Sequence, residues 1–178
     1  LWNNADMRGA IFSNVTFGSN DFLSASLSGA NFANSEFNGY VAMGLLDGRT
    51  IQKLTFTKAR VNSRRRLLLT GRFKSANFDE FIGKIISFQK YNYSFKDYPI
   101  LEMVETSFDQ SMLKNSNFED ANLTASTFRH ADLRGVNFRG ADLTDVDLTG
   151  AKMDGADIFG AKLCNTTAPD GNIMFGGC

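Results

Sequence analysis

The feature that constrains this chain most is a repeat of five residues. From Thr106 to Asn165 the sequence divides into twelve units of five, and the third residue of every unit is Phe, Leu, Met or Ile. The first residue of each of these units is Ala, Ser, Thr or Val. The same division applies from Ala5 to Gly39, where all seven third positions are large and apolar. A period of five fits neither an α-helix nor an uninterrupted β-strand.

This period predicts short extended segments that are joined by turns. In a locally extended unit, the first and third side chains point to the same side. The fourth and fifth positions carry pairs such as Arg-Gly, Thr-Gly and Ser-Asn, which favour turns. Each unit therefore directs one small and one large residue inward, and the chain must coil around its own core.

The pattern Ala-[Asp/Asn]-[Leu/Phe]-x-x resembles that of the pentapeptide-repeat family. The resemblance implies an all-β fold, a right-handed quadrilateral β-helix with four units per coil. The quality of the repeat along the chain predicts one domain with an irregular inserted segment, and residues 66–165 would make five coils. Its parts are N-terminal coils at 1–39, a non-repeating insertion at 40–65, degenerate coils at 66–105, regular coils at 106–165 and a C-terminal cap at 166–178.

Four units per coil would place equivalent residues of successive coils side by side, at the spacing of about 4.8 Å between neighbouring strands. In the regular coils this alignment brings opposite charges together, with one like-charged pair, Lys114 and Arg134. We therefore expect cross-coil ion pairs that tune the register. The opposite pairs are Asp109 with Arg129, Glu119 with Arg139, Asp132 with Lys152, Arg134 with Asp154, and Asp142 with Lys162.

The degenerate coils carry large residues where the repeat has small ones. These residues are Phe81, Ile86, Tyr91 and Leu101. They cannot all fit a narrow corner, so we expect them to push the chain or their own side chains outward.

The two cysteines lie in the tail LCNTTAPDGNIMFGGC. This tail resembles those of pentapeptide proteins from cyanobacteria and the chloroplast thylakoid lumen. By that resemblance, Cys164 and Cys178 form a disulfide that holds a cap over the last coil. The alternative is two free thiols in a reducing compartment. The resemblance also implies a chloroplast thylakoid lumen or a cyanobacterial lumen or periplasm. The start at Leu1 without Met suggests a mature chain without its targeting segment.

Little in the sequence indicates catalysis. It contains no Gly-rich phosphate loop, no HExxH and no CxxC, and its one histidine, His130, occupies a turn position beside Arg129. No spacing supplies a nucleophile with a base and an orienting group. We therefore expect no enzyme activity, no cofactor, no metal and no small-molecule substrate.

Charge is balanced overall but uneven along the chain. Nineteen basic residues match nineteen acidic ones, which excludes a uniformly basic nucleic-acid binder. Residues 41–105, however, carry a net charge of plus six, and residues 40–105 hold all four tyrosines. We interpret this segment as the partner site, because Tyr and Arg are favoured in binding hot spots. The alternatives are a solvated loop and a cap that buries its aromatics. The candidate residues are Arg60, Arg64, Arg65, Arg66, Arg72, Lys74, Tyr91, Tyr93 and Tyr98.

These observations favour a non-enzymatic scaffold that binds another protein or a membrane protein complex. The resemblance of the tail implies a photosynthetic, photosystem-associated thylakoid assembly as the partner. The alternative function is a DNA mimic, because some pentapeptide proteins resemble duplex DNA and bind DNA gyrase. Mimicry requires a strongly acidic surface, whereas this chain is neutral, and nucleic acid is not expected as a partner.

Overall fold

The computed structural model describes residues 2, 4–39, 41–44, 50–61, 67–83, 85–87 and 101–178. These residues form short strands, isolated bridges and turns, and they include no helix that is long and apolar enough to cross a bilayer. The strands are β1 (Thr16–Phe17), β2 (Asn20–Leu23), β3 (Glu36–Phe37), β4 (Val41–Gly44), β5 (Thr50–Gln52), β6 (Arg60–Val61), β7 (Leu67–Thr70), β8 (Arg72–Lys74), β9 (Ile85–Ser87), β10 (Glu102–Val104), β11 (Leu163–Thr167) and β12 (Ile173–Gly176).

The chain winds as a right-handed quadrilateral β-helix, which confirms the fold predicted from the repeat. Parallel bridges join the second residues of stacked units, and in the regular part Ser107 bridges Thr127, which bridges Asp147. Each unit of five forms one side, so the coil has four faces, which we name A to D in chain order. Their second residues are Asp6, Ser26, Thr50, Arg72, Glu102, Asn122, Asp142 and Lys162 on face A; Ile11, Asn31, Thr55, Asn77, Ser107, Thr127, Asp147 and Thr167 on face B; Thr16, Glu36, Arg60, Ile82, Met112, Asp132 and Lys152 on face C; and Asp21, Ala42, Leu68, Ile86, Asn117, Asn137 and Asp157 on face D.

The first and third residues of the units fill the interior, as the period predicts. The third residues stack into one column behind each face, and the column behind face B consists of phenylalanines over six coils. Their ring centroids lie 4.6–5.1 Å apart. These rings are Phe12, Phe32, Phe56, Phe78, Phe108 and Phe128. Because each inner ring contacts the rings above and below it, the core is continuous along the axis.

The second and fifth residues of a unit shape its turn. An Asn or Asp at the second position accepts a hydrogen bond from the backbone N–H two residues later, as Asn122 does from Thr124 at 3.0 Å. Asp147 accepts in the same way from Thr149 at 2.9 Å. The fifth residue has a positive φ, for example 57° at His130, which explains the frequent Gly and Asn there.

The residues that the structure describes within the predicted insertion at 40–65 lie on the faces of the coil. Strands β4, β5 and β6 lie on faces D, A and C, and Thr55 bridges Asn31 and Asn77 on face B. These three bridge partners are further apart in sequence than Ser107 and Thr127 in the regular part, so the coils that contain them hold extra residues. The extra residues shift the division of the sequence into units of five, so the regular units around Phe56 and Val61 were not recognised in the sequence.

The coil that follows is longer still. Ser107 bridges Asn77 and Met112 bridges Ile82, and the partners in both bridges are ten positions further apart in sequence than Ser107 and Thr127. Residues 66–165 therefore make fewer than the five coils that were expected.

Large residues at first positions do not point outward where they are described, which corrects that expectation. Phe81 is 0% exposed and Leu101 is 2% exposed. The ring of Phe81 packs edge-on against Phe56 and Phe78, with centroids 6.3 and 5.6 Å away. Space for it exists because the third residue of its unit is Gly83, where an added Cβ would lie 3.2 Å from the Phe81 ring. The side chain of Ile86 and the whole of Tyr91 lie outside the described residues.

The tail forms a cap over the last coil. Strand β11 forms the last rung of face A and turns onto face B, and β12 pairs with it in the antiparallel direction. The turn between them is closed by a 2.8 Å bond from the Ala168 N–H to the Asn172 carbonyl. The structure contains the predicted disulfide between Cys164 and Cys178, whose Cα atoms are 4.9 Å apart.

Candidate partner-binding site

Three of the nine predicted partner-binding residues lie in the described part of the chain. These are Arg60, Arg72 and Lys74. The other six fall outside the described residues: Arg64, Arg65, Arg66, Tyr91, Tyr93 and Tyr98.

The two basic residues of β8 are already engaged by acidic neighbours. Arg72 Nε lies 3.2 Å from Glu102 Oε1, and Lys74 Nζ lies 3.0 Å from Glu105 Oε1. Each pair joins one coil to the next on face A. Their charges are therefore largely neutralised before any partner arrives.

Arg60 lies on face C, which is on the other side of the coil from face A. The expected basic cluster is therefore not one patch, because its described members occupy opposite faces. A run of basic residues that is compact in sequence is divided here, since each unit of the repeat moves the chain by a quarter of a turn. Among the described residues, Arg60 is exposed and makes no ion pair.

Arg60 lines a shallow groove of about 460 Å³ along the corner between faces B and C. Two rows of side chains form it. One row consists of fifth-position residues that turn the corner, each with a φ between 54° and 59°. The other consists of second-position residues on face C. The first row is Asn34, Lys58, Glu80 and Gln110, and the second is Glu36, Arg60, Ile82 and Met112.

The groove combines charge with exposed apolar surface. Lys58 Nζ lies 3.5 Å from Glu80 Oε1, so these two charges are paired across successive coils. Arg60 and Glu36 lie in stacked units on face C. Next to them, Met112 is 47% exposed and Ile82 is half-buried. The groove therefore offers a cation, a carboxylate and an apolar floor to a ligand.

Outward residues of the regular coils are mostly occupied by one another. Two expected cross-coil pairs are present: Arg129 Nη2 lies 2.7 Å from Asp109 Oδ2, and Lys162 Nζ lies 3.5 Å from Asp142 Oδ2. Other pairs were not expected. Arg139 Nη1 lies 3.0 Å from Asp157 Oδ2.

Asp132 does not pair with Lys152 as expected but binds two other cations. Arg134 Nη2 lies 2.6 Å from its Oδ2, and Lys114 Nζ lies 3.4 Å away. The like charges of Lys114 and Arg134 thus share one carboxylate. The side-chain hydrogen bond from Arg134 lowers the pKa of Asp132 to about 2.

His130 lies on a turn and is exposed, and its backbone N–H donates to the Thr149 carbonyl at 2.9 Å. Within the described ranges, no three His, Cys, Asp or Glu side chains are grouped closely enough to hold a metal ion.

The groove was missed in the sequence, although a signal for it exists. Each pair of groove residues is the fifth residue of one unit and the second of the next, such as Lys58 and Arg60. Stacking the units four to a coil would have aligned these pairs. The additional residues in the coils between Asn31 and Ser107 prevented that alignment.

Solved structures similar to this chain include three of low sequence identity. HetL from the cyanobacterium Nostoc sp. strain PCC 7120, a pentapeptide repeat protein involved in heterocyst differentiation regulation, is 17% identical with a TM-score of 0.38, over 98% of this chain and 93% of that one. QnrB1 treated with trypsin, a plasmid-mediated fluoroquinolone resistance protein, is 14% identical with a TM-score of 0.40, over 89% of this chain and 86% of that one. AT2G44920, a pentapeptide repeat protein from the Arabidopsis thaliana thylakoid lumen, is 19% identical with a TM-score of 0.30, over 84% of this chain and 68% of that one. At these values the likeness says nothing about what this chain binds.

A comparison with curated proteins gives no significant match. The profile for pentapeptide repeats matches in eight copies, over residues 3–39, 102–140 and 128–165. These ranges cover more than half of the chain, and they coincide with the coils whose bridges are evenly spaced in sequence. The chain belongs to the pentapeptide-repeat family.

Proposed function

We propose that this protein is a non-enzymatic scaffold that binds another protein through the groove between faces B and C. The observation that carries the proposal is Arg60, an exposed cation without an ion pair among the described residues, beside the exposed Met112. Many outward charges of the regular coils pair with one another instead, as at Asp109 and Arg129. Arg60 and Met112 are thus available to a partner, whereas Lys58 and Glu80 in the same groove pair with each other.

The sequence next to the groove supports an acidic protein as the partner. Arg64, Arg65 and Arg66 follow Val61, which lies on face C beside Arg60, after only two intervening residues. Residues 41–105 carry a net charge of plus six, which would speed association with an acidic surface. Tyr91, Tyr93 and Tyr98 belong to the same segment and are residues of the type that anchors interfaces.

We further propose that the partner is a photosynthetic assembly of the thylakoid. Two features support this. The tail resembles those of thylakoid-lumen pentapeptide proteins, and the disulfide between Cys164 and Cys178 fits an oxidising compartment.

The test is a pull-down from thylakoid-lumen extract and detergent-solubilised thylakoid membranes with the immobilised protein. The baits are the wild type, Arg60→Ser, the triple variant Arg64→Ser/Arg65→Ser/Arg66→Ser, and Arg139→Ser as a control that makes the same change on face D. We expect one protein to be retained by the wild type and the control, to be lost with Arg60→Ser, and to elute as salt is raised.

Three results would contradict the proposal. Equal retention by Arg60→Ser and the wild type would exclude the groove, and a lower melting temperature of Arg60→Ser would assign this arginine to the fold. Inhibition of DNA gyrase supercoiling by the wild type would favour the DNA-mimic function instead.

A further inference from the structure

The two strands of the C-terminal cap are held very differently. Strand β11 is bonded to the coil beneath it: the Asp145 N–H donates to the Cys164 carbonyl at 2.9 Å, and the Leu148 N–H donates to the Thr167 carbonyl at 2.9 Å. Strand β12 pairs with β11 along one edge, and this ladder is irregular between Cys164 and Thr166. Of the two strands, β12 is therefore the one that can leave without disturbing the coil.

The side chains show the same contrast. Thr166 of β11 is fully buried, and its hydroxyl donates to the Leu143 carbonyl at 2.7 Å. In β12, Ile173 is 45% exposed and Phe175 is 69% exposed, and Met174 alone packs partly against the core. Burial therefore contributes little to the attachment of β12.

The disulfide supplies the attachment that packing does not. It joins Cys164 of β11 to Cys178, two residues beyond β12, and closes a loop in which the cysteines are 14 positions apart. A loop of this length favours the closed form by roughly a hundredfold on the chain-entropy model. Cys178 is exposed and Cys164 is half-buried, so a thiol reagent can reach the bond.

We propose that the disulfide is a redox-controlled latch, and that its reduction lets the edge of β11 dock β12 of a second copy of this chain. A small dithiol reduces the bond: it gives two electrons and two protons, Cys164 and Cys178 become thiols, and the dithiol becomes its cyclic disulfide. β12 then leaves the coil and exposes the backbone edge of β11. An unpaired strand edge is a template for another strand.

A second copy is the occupant because its β12 fits the vacated edge residue for residue. Exchange of an identical element keeps every contact of the original pairing. The exchange also brings together two C-terminal ends, each of which exposes several large apolar side chains that the contact would cover. These are Ile158, Phe159, Ile173 and Phe175. Covering exposed apolar surface favours association.

Hydrogen exchange tests the latch. After reduction by dithiothreitol, amides of Ile173–Gly176 should exchange roughly a hundred times faster, by the same loop-closure argument, whereas those of Leu163–Thr167 that bond to the coil beneath should not change. Cys178→Ser should show the fast exchange without any reductant. Unchanged exchange of Ile173–Gly176 in both samples would overturn the latch.

Isotope mixing tests the exchange of strands. Equal amounts of ¹⁵N-labelled and unlabelled protein are reduced together at high concentration and reoxidised with oxidised glutathione, which takes two electrons from one Cys164 thiol and one Cys178 thiol and becomes two reduced glutathiones. An aspartate-specific protease then cuts before Asp157 and Asp170, which separates the two cysteines. We expect linked peptides that combine one labelled and one unlabelled half, together with a dimer on gel filtration.

The matched control is the same mixture kept oxidised throughout, in which linked peptides should share one label. Reoxidised protein that remains monomeric, with no mixed peptides, would overturn docking by a second copy even if the latch opens. Mixed peptides in the oxidised control would show exchange without reduction and would overturn redox control.

Discussion

Asp132 shows how one carboxylate can link two coils. It contacts Lys114 one coil below and Arg134 in its own unit, and its backbone bridges Met112 and Lys152 below and above. The hydrogen bond from Arg134 lowers the pKa of Asp132 to about 2, from an ordinary value of 3.8. A carboxylate with a lowered pKa stabilises the fold above its unfolded pKa, and this contribution disappears as the pH falls through the folded pKa.

Asp132→Asn should therefore reduce the free energy of unfolding by about 1–2 kcal/mol at neutral pH. This loss is smaller than the pKa shift of Asp132 alone would give, because Arg134 is partly exposed to solvent. The difference from the wild type should shrink as the pH falls from about 4 to about 2. Urea unfolding at several pH values measures it. A difference that stays constant down to pH 2 would show that the loss is not electrostatic.

Substitutions of Gly150 and Gly155 distinguish the cost of backbone strain from the cost of a side-chain overlap. Both have a positive φ, of 69° and 68°, but an added Cβ on Gly150 would overlap Nδ1 of His130, whereas one on Gly155 meets no atom within 4 Å. Gly155→Ala should cost about 1 kcal/mol from strain alone. Gly150→Ala should cost more, and His130→Ala in the same chain should remove the excess. Thermal melts measure this for Gly155→Ala, Gly150→Ala, the double variant Gly150→Ala/His130→Ala and His130→Ala alone. Equal losses of stability for Gly150→Ala and Gly155→Ala would exclude the overlap with His130.

At the scale of the element, each interior residue belongs to a column. Phe138 lies 5.5 Å from Phe118 in the column behind face D, and Leu143 is fully buried behind face A. Backbone bridges above and below fix the spacing of the column, so a gap in it cannot collapse.

Phe138→Ala and Leu143→Ala should each reduce the free energy of unfolding by about 2–5 kcal/mol. Ala141→Phe should also destabilise, because a small buried first position would be overpacked. Denaturant titration measures these values, with Lys152→Ala on the surface of the same coils as the control. Wild-type stability of the Phe138 and Leu143 variants would show that these side chains are not inside.

Sequence reasoning identified the elements wherever the repeat is exact. It placed Leu143 and Phe138 inside because every fifth residue there is large, and it paired Asp109 with Arg129 by placing four units in each coil. It failed around Phe56 because extra residues shift the frame while the backbone register on the faces is kept. Among the predicted partner-binding residues that the structure describes, Arg60 alone lines the groove, since a run of basic residues says nothing about which face each one occupies.

For the whole molecule, coil length should set local stability. Phe56 and Phe128 occupy the same column, and their N–H groups bond to the next coil at 2.7 and 2.8 Å. They differ in that Phe128 lies among coils of four complete units, whereas the coils on both sides of Phe56 hold extra residues. Longer closed segments cost more chain entropy.

The amide of Phe56 should therefore exchange with solvent faster than that of Phe128. Native-state hydrogen exchange measures both in one sample, and their matched packing makes each the control for the other. Slower exchange at Phe56 would contradict the expected weakening of the middle coils.

In a four-sided coil, the number of residues between two outward side chains also sets the angle between them about the axis. Removing or adding one unit of five between Thr106 and Asn165 would turn every later outward side chain by a quarter of a circle, while the interior would still receive its large and small residues in order. Only a change of four whole units restores the original direction. The long coils between Asn31 and Ser107 avoid this coupling, because their additional residues leave the faces aligned. The number of residues in these long coils can therefore vary while the faces at the two ends of the rod keep a fixed angle to each other.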